Sequence, residues 1–418
     1  MDICDVAVVG GGPAGMMAAI RAGGLKKEAW LLERGDSLGR KLLLSGKERC
    51  NVTNMAPLDD FMAKFGRQGD FLRTAFSRFF NQDLIDFFKV KGLELKVERQ
   101  GRVFPVTDRA SSVLDALKDY LRENKVQILY NTRVSAIKKE GDIFSLNSSD
   151  AGTRKLSARK VILAAGGASF SWTGSSGDGF AMAGKLGHII TPLKAGLVPL
   201  KAKESWVKEL RGLSLKNIRL SFKSKDKKIV SNIGELLFTH FGVSGPLVLD
   251  LSGSALRLRD QSEELFLYID LKPGLSPEQI EERLLREFRL QGSKGIKNIL
   301  KELLPLKLIE VFLNLCGLDP GKKGSQISKE EKSAIARLLK SLPLEISGPL
   351  PIEEAMVTCA GVPIKEINPR TMESRLVAGL YFAGEIIDAS AASGGYNLQQ
   401  AFSTGYLAGE SAVKSLGI

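Results

Sequence analysis

The chain has 418 residues, more than one hydrophobic core organises, so two or three domains are expected. Its 44% hydrophobic and 26% charged residues exclude a disordered chain. No apolar run approaches the ~20 residues that span a bilayer, and the N-terminus enters a core strand almost at once, without space for a cleavable leader. Cys4, Cys50, Cys316 and Cys359 never form a C-x-x-C pair, and His188 and His240 are the only histidines. That pattern suits neither a disulfide framework nor a metal centre. A cytoplasmic protein without a metal or a membrane partner is expected. Net charge is +13, and residues 201–228 hold 10 basic side chains against Glu204, Glu209 and Asp226. Two readings of that cluster stand side by side: a solvated surface, or an electrostatic footprint for RNA.

In chain order, Asp5–Gly10 reads as a buried strand, Ala14–Ala22 as a helix and Ala29–Glu33 as a second strand, a β-α-β unit. Helical patterns follow at Asp70–Lys91 and Ala110–Asn124. Strands are predicted at Gln127–Tyr130, Arg133–Lys138 and Lys160–Ala165, the last opening on Gly166-Gly167. From about Pro192 the texture shifts to short alternating strands, Ile218–Ser224, Glu235–Phe238 and Leu265–Leu271. Helices are predicted at Pro277–Phe288, Ile296–Leu315 and Lys329–Leu342. Ile352–Cys359 and Gly379–Gly384 return to buried-strand character, and Leu398–Leu416 closes the chain as a helix. The predicted fold is α/β: a discontinuous domain, 1–191 with 352–418, and a β-rich insert, 192–351, whose residues from about 275 to 345 are helical.

Gly10-Gly11-Gly12-Pro13-Ala14-Gly15 contains G-x-G-x-x-G between strand and helix. Gly10 permits the tight turn, Gly12 lets a diphosphate approach the backbone, and Gly15 lets the helix pack on the sheet, with free N–H groups and the helix dipole facing the anion. Glu33, ending the second strand, is placed to bind ribose hydroxyls. The fingerprint alone does not separate NAD from FAD. Gly379–Glu385 adds a strand ending in glycine and an acid, and Gly394-Gly395-Tyr396-Asn397 opens a helix whose N-terminus would stabilise negative charge on a reduced flavin.

These motifs belong to a longer set of blocks: Gly39–Gly46 running into Arg49-Cys50-Asn51-Val52-Thr53-Asn54, then Gly101–Pro105, Thr173–Gly179, Thr239–Pro246, Asn368–Ser374 and Gly394–Gln399. Together they resemble the BaiN/RdsA-type (YhiN-like) flavoproteins over most of the chain. The resemblance implies bound FAD, an inserted β-barrel-like domain with a helical subdomain, and no separate nicotinamide domain, so NADH or NADPH would approach the flavin transiently. Motif and resemblance together assign to FAD Gly10, Gly12, Pro13, Ala14, Gly15, Glu33, Arg34, Arg40, Lys41, Ser45, Asn51, Thr53 and Val134. Ala165, Gly166, Gly167, Gly384, Glu385, Gly395, Tyr396, Asn397 and Leu398 complete the set. The chain departs from the family at Lys47-Glu48, where glycine is usual, and at Ala165, Cys359-Ala360-Gly361 and Ala389–Ser393.

Two residues are candidates for chemistry beyond the cofactor. Cys50, in a polar Arg-Cys-Asn setting, is a candidate general acid, with a packed thiol as the alternative. His240, in a Gly/Ser-rich loop of the insert, is a candidate substrate ligand or a structural hydrogen-bonding residue. Arg40, Lys41 and Arg49 are candidate contacts to the FAD phosphates or to an anionic substrate, with a plain surface charge as the alternative for at least one of them. The resemblance implies reduction of a uridine C5–C6 double bond to dihydrouridine in 23S ribosomal RNA, and the basic balance favours that substrate, with region 201–228 as the RNA contact. Steroid enone reduction, aminoacetone oxidation and non-catalytic RNA binding are the alternatives.

Overall fold

The computed structural model describes residues 3–148, 155–260, 262 and 264–417. The chain divides into two compact units, Met1–Ala195 with Ile352–Ile418, and Gly196–Pro351.

The discontinuous unit is built on one sheet in which Gln127–Leu129, Ala29–Leu32, Ile3–Val9 and Lys155–Leu163 lie side by side and parallel. Every residue of Ala29–Leu32 is buried, as expected for a parallel strand covered on both faces. Lys155–Leu163 serves two neighbours along its length. Lys155–Ala158 pairs antiparallel with 144–147, and Val161–Leu163 pairs parallel with Leu380–Phe382. The C-terminal segment thus enters the sheet founded by the N-terminal strand. The first strand is flanked by Ala29–Leu32 on one side and Lys155–Leu163 on the other, the switch point beyond whose C-terminal end such sheets bind ligands.

Helix Pro13–Gly24 and the closing helix Tyr396–Lys414 pack together through small residues. A Cβ on Gly405 would come within 2.3 Å of the Ala14 carbonyl oxygen, and one on Gly409 within 2.4 Å of that of Ala18. Among the described residues no helix is long and apolar enough to cross a membrane.

In the insert, strands Ser214–Ser224, Gly234–Phe238, Gly242–Ser244, Leu200–Ala202, Leu342–Pro349 and Phe266–Asp270 follow one another by antiparallel pairing. The last pairs back onto the first. This closed six-stranded ring buries Leu220, Phe222, Phe238, Leu267, Ile269 and Leu344 inside and leaves no open edge within the ring. Lys227–Val230 folds back on Ser221–Ser224 as a hairpin arm. Helices Pro277–Leu290 and Lys329–Lys340 each begin on a serine cap, Ser276 accepting from the Gln279 N–H and Ser328 from the Glu331 N–H, both at 3.2 Å. Both are the S-x-x-Q/E capping box.

Several predicted elements differ from those observed. The helix expected over 70–91 is two, Gly69–Arg78 and Asn81–Val90. The break falls where Phe79 is extended and the Asp83 carboxylate accepts the Phe80 N–H at 2.7 Å. Pro305, unable to donate, splits 296–315 into Ile296–Leu300 and Leu306–Leu315. Ile352–Cys359 is not a central strand: only Val357–Cys359 is extended, and it pairs with Lys194–Gly196. Strands Ile143–Ser148 and Leu342–Pro349 were not expected from the sequence. Nor was helix Pro246–Arg259, which starts after Gly245 at φ +93 with Pro at its first position, a start signal for a helix.

Candidate active site

The glycine turn carries four glycines with different tasks. Gly10 has φ +110, and a Cβ there would come within 2.5 Å of the Ala164 oxygen. On Gly11 it would meet Leu38 and the Glu33 carboxylate, and on Gly15 it would lie 1.8 Å from the Gly10 oxygen. Gly12 alone of the four faces open space, with nothing within 4 Å of an added Cβ. It stands at the N-terminus of helix Pro13–Gly24, where N–H groups and dipole suit a diphosphate.

Glu33 is held at this turn. Its carboxylate accepts the Gly11 N–H at 2.8 Å and the Gly35 N–H at 2.7 Å, and further lone pairs suit ribose hydroxyls. The Thr132 N–H bonds to the Glu33 carbonyl at 2.9 Å, which brings the segment leading into buried Val134 alongside. Arg34 reaches Ser176 at 2.5 Å and Asp178 at 3.4 Å. Arg133 also binds Asp178, and it and Ser176 hold that carboxyl below its usual range despite partial burial.

Ala165-Gly166-Gly167 runs beside Gly10, and Gly167 passes close to Thr358 and Glu385. Here the structure assembles a network that the motifs alone do not reveal. Glu385 accepts from Lys41 Nζ at 2.7 and 2.9 Å, from the Ser169 hydroxyl at 2.9 Å and from the Thr358 N–H at 2.7 Å. The Thr358 hydroxyl in turn accepts the Ala168 and Ser169 N–H groups. Burial raises the Glu385 carboxyl, but Lys41 and these donors outweigh it and hold the carboxyl below its usual range. Lys41→Met leaves that partly buried carboxylate without its cation. The expected result is a lower thermal midpoint that Glu385→Gln partly restores, with a coupling of about 1–3 kcal/mol in the double-mutant cycle. A coupling near zero would show that Lys41 does not compensate the acid.

The segment from Ser45 to Asn54 is a loop of left-handed backbone. Gly46, Lys47, Glu48 and Cys50 all have φ between +58 and +66. Lys47 and Glu48 thus hold the conformation that glycine adopts without cost, at a strain of about 1 kcal/mol or more each. Thr53 and Asn54 pair with Arg102–Val103. The Asn54 amide donates to the Gly394 carbonyl at 3.0 Å, and a Cβ on Gly395 would come within 2.3 Å of the Thr53 oxygen. The loop and the start of the closing helix are therefore locked together. Tyr396 stacks edge-on against Phe61 at 4.7 Å. Asn397 holds the preceding turn through the Ala391 N–H and carbonyl, both at 2.9 Å, and Leu398 is half-buried. Gly384, at φ +78, contacts Ala14 and donates its N–H to Thr404 at 2.9 Å.

The remaining candidates take different positions. Arg40 pairs with Asp36 on an exposed turn. Arg49 is taken by Glu98 and Asp108 and lies over the Phe104 ring. Ser45 donates to the Leu42 carbonyl. Cys50 is fully buried, and burial pushes its thiol up to about 12 despite a hydrogen bond with Ser45, so it keeps its proton at neutral pH. His240, in the insert, is exposed at the turn between Gly234–Phe238 and Gly242–Ser244, its ring edge-on to Phe241 at 4.9 Å. Cys359 is partly exposed, with the Ser390 hydroxyl 3.3 Å from its sulfur.

Three features fit a flavin dinucleotide: the open cradle at Gly12, the buried Asn51 Oδ1 and the buried Thr53 Oγ1, neither oxygen having a partner among the described residues. Gly10, Gly12, Glu33, Asn51 and Thr53 are the residues placed to hold it. Fold and site together define a flavin-dependent oxidoreductase of Rossmann-like architecture, with FAD as the implied cofactor. Residues 4–411 match the HI0933-like protein Rossmann domain, and the chain belongs to that family. It is 31% identical to the 3-dehydro-bile acid delta(4,6)-reductase of Clostridium scindens, over 98% of this chain and 99% of that one. It is 30% identical to the ribosomal RNA dihydrouridine synthase of Escherichia coli, over 97% of each. Among solved structures, the open conformation of a flavocytochrome c3 fumarate reductase superposes with a TM-score of 0.55 at 15% identity, covering 100% of this chain and 79% of that one.

Proposed function

We propose that this flavoprotein reduces the C5–C6 double bond of a uridine in 23S ribosomal RNA to dihydrouridine, with NADH or NADPH as transient reductant. Bound FAD would supply the hydride chemistry. The protein's residues would bind and orient it: the N–H groups at Gly12 would hold the diphosphate, Glu33 the ribose hydroxyls, and the N-terminus of Tyr396–Lys414 would stabilise negative charge on the flavin. Reduction of a C=C bond also needs a proton. Cys50 carries one but is buried, and Cys359 is the more exposed thiol. Relatives acting on bile acids and on ribosomal RNA are equally similar to this chain, so identity does not choose between them. The observation that favours RNA is the set of exposed lysines, Lys216, Lys223, Lys225, Lys227 and Lys228, on the insert, more positive charge than the single anionic group of a bile acid engages. Dihydrouridine mapping in ribosomal RNA from a deletion strain is the test. One modified position should be lost, then restored by this chain but not by its Gly12→Val variant. Unchanged RNA, with NAD(P)H-driven reduction of a bile-acid enone by the purified protein, would establish the small-molecule reading instead.

A further inference from the structure

On the outer face of the closed ring, strand Ser214–Ser224 buries Leu220 and Phe222 and turns Arg219, Ser221 and Lys223 outward. Its two neighbours in register complete that face. Lys223 stands opposite Lys228 on the hairpin arm and opposite Phe266 on the other side, and Ser221 stands opposite Val230 and Tyr268. Two partly buried rings, Phe266 and Tyr268, lie with centroids 6.5 Å apart, and Lys223 Nζ is 5.0 Å from the Tyr268 ring centre.

Neither Lys223 nor Lys228 forms an ion pair among the described residues. Lys223 and Lys228 are like charges directly across a strand pair, an arrangement that costs folding free energy. Of the nearby acids, Asp270 is engaged by Lys340 at 2.7 Å and Glu345 by Lys203, while Asp226 and Glu264 are exposed, so Lys223, Lys225, Lys227 and Lys228 leave the face net positive. An exposed apolar side chain, Val230, continues the surface. Rings partly open to solvent and flanked by exposed cations on a sheet face are the chemistry that stacks unpaired bases while neutralising their phosphates. Duplex RNA hides its base faces and would use only the lysines. A lipid surface can also engage lysines beside aromatic side chains, so vesicles form one arm of the test below.

We infer that the sheet face formed by Lys223, Lys228, Phe266 and Tyr268 is a docking platform for single-stranded RNA, on which bases stack against the two rings. This rests on the RNA reading above and names the surface that reading requires. The test measures binding of the full FAD-loaded protein to a fluorescent uridine-rich single strand, to the same sequence as a duplex, and to phosphatidylserine vesicles, across a salt series. The expected result is preference for the single strand. Lys223→Gln with Lys228→Gln should flatten the slope of log affinity against log salt by about 1.4, at about 0.7 per lysine on single strands. Tyr268→Ala should weaken binding about tenfold with the slope unchanged, and Tyr268→Phe should restore it. FAD content and thermal midpoint report that each variant is folded. Unchanged affinity and slope in these folded variants would overturn the platform, as would vesicle binding stronger than RNA binding and lost in the same variants. The two proposals separate cleanly. A wild type that makes dihydrouridine while the variants bind RNA normally removes the platform and keeps the function. Variants that lose RNA binding in a protein that makes no dihydrouridine remove the function and keep the platform.

Discussion

Gly12→Val is expected to give a folded protein that contains no flavin. Gly12 has φ −80 and ψ −178, which any residue adopts, and no protein atom lies within 4 Å of an added Cβ. The only cost to the apoprotein is a poorer helix cap, about 1 kcal/mol. The new side chain instead fills the space through which a diphosphate reaches the helix N-terminus. Gly15→Val should behave in the opposite way. Its Cβ would lie 1.8 Å from the Gly10 oxygen, so turn and helix must part, and the fold fails before binding can be asked about. Visible flavin absorbance measured beside far-ultraviolet circular dichroism separates the two outcomes. A Gly12→Val protein that is yellow after purification would show that the dinucleotide lies elsewhere.

The contrast between these glycines shows how far the sequence could be read. G-x-G-x-x-G between a strand and a helix, with Glu33 at the next strand end, is local, and each residue's task follows from backbone sterics. The return of Leu380–Phe382 to the sheet was legible as a buried run, although its position beside Lys155–Leu163 was not. The Glu385 network was illegible because Lys41, Ser169, Thr358 and Glu385 come from four separate segments that meet only in the fold. Helix Pro246–Arg259 was not expected, and its middle carries Ser252-Gly253-Ser254, poor helix formers, yet Ser252 is buried and accepts the Val198 N–H at 3.1 Å. Asn51 and Thr53 entered only through resemblance, since nothing in a lone Asn-Val-Thr predicts buried oxygens without partners. The left-handed loop at Lys47-Glu48 is the converse case. Lys47 and Glu48 hold a conformation that favours glycine, with the Ala110 N–H bonding to the Glu48 carbonyl at 2.8 Å.

Glu410→Gln should produce a large loss of stability that disappears in acid. Glu410 lies on the closing helix with its side chain 5% exposed, and it binds Arg21 at 2.5 Å, Arg78 at 2.6 Å and Lys414 at 3.2 Å. Burial raises its carboxyl, but the hydrogen bonds from Arg21, Arg78 and Lys414 outweigh that and bring it to about 2. A folded-state value below the unfolded one means that the charged carboxylate stabilises the fold. That stabilisation is fully present above the unfolded value of about 4.3 and is lost as pH falls toward 2. The shift corresponds to about 3 kcal/mol, and to about 2 kcal/mol after allowing for the solvent-exposed Arg78 and Lys414. Glutamine keeps the shape but not the charge, so its thermal midpoint should fall several degrees below wild type at pH 7, and the gap should close between about pH 4.5 and 2. An equal gap at pH 7 and at the acid end would mean that lost packing, not charge, is responsible. The site should feel this indirectly. Glu410 sits roughly 20 Å along the helix from Tyr396, too far to touch the cofactor, but it anchors to Arg21 the same helix pair that Gly405 and Gly409 bring into contact with Ala14 and Ala18. The variant should therefore bind FAD normally when cold and release it at a lower temperature than wild type, because the helix proposed to stabilise the flavin undocks sooner.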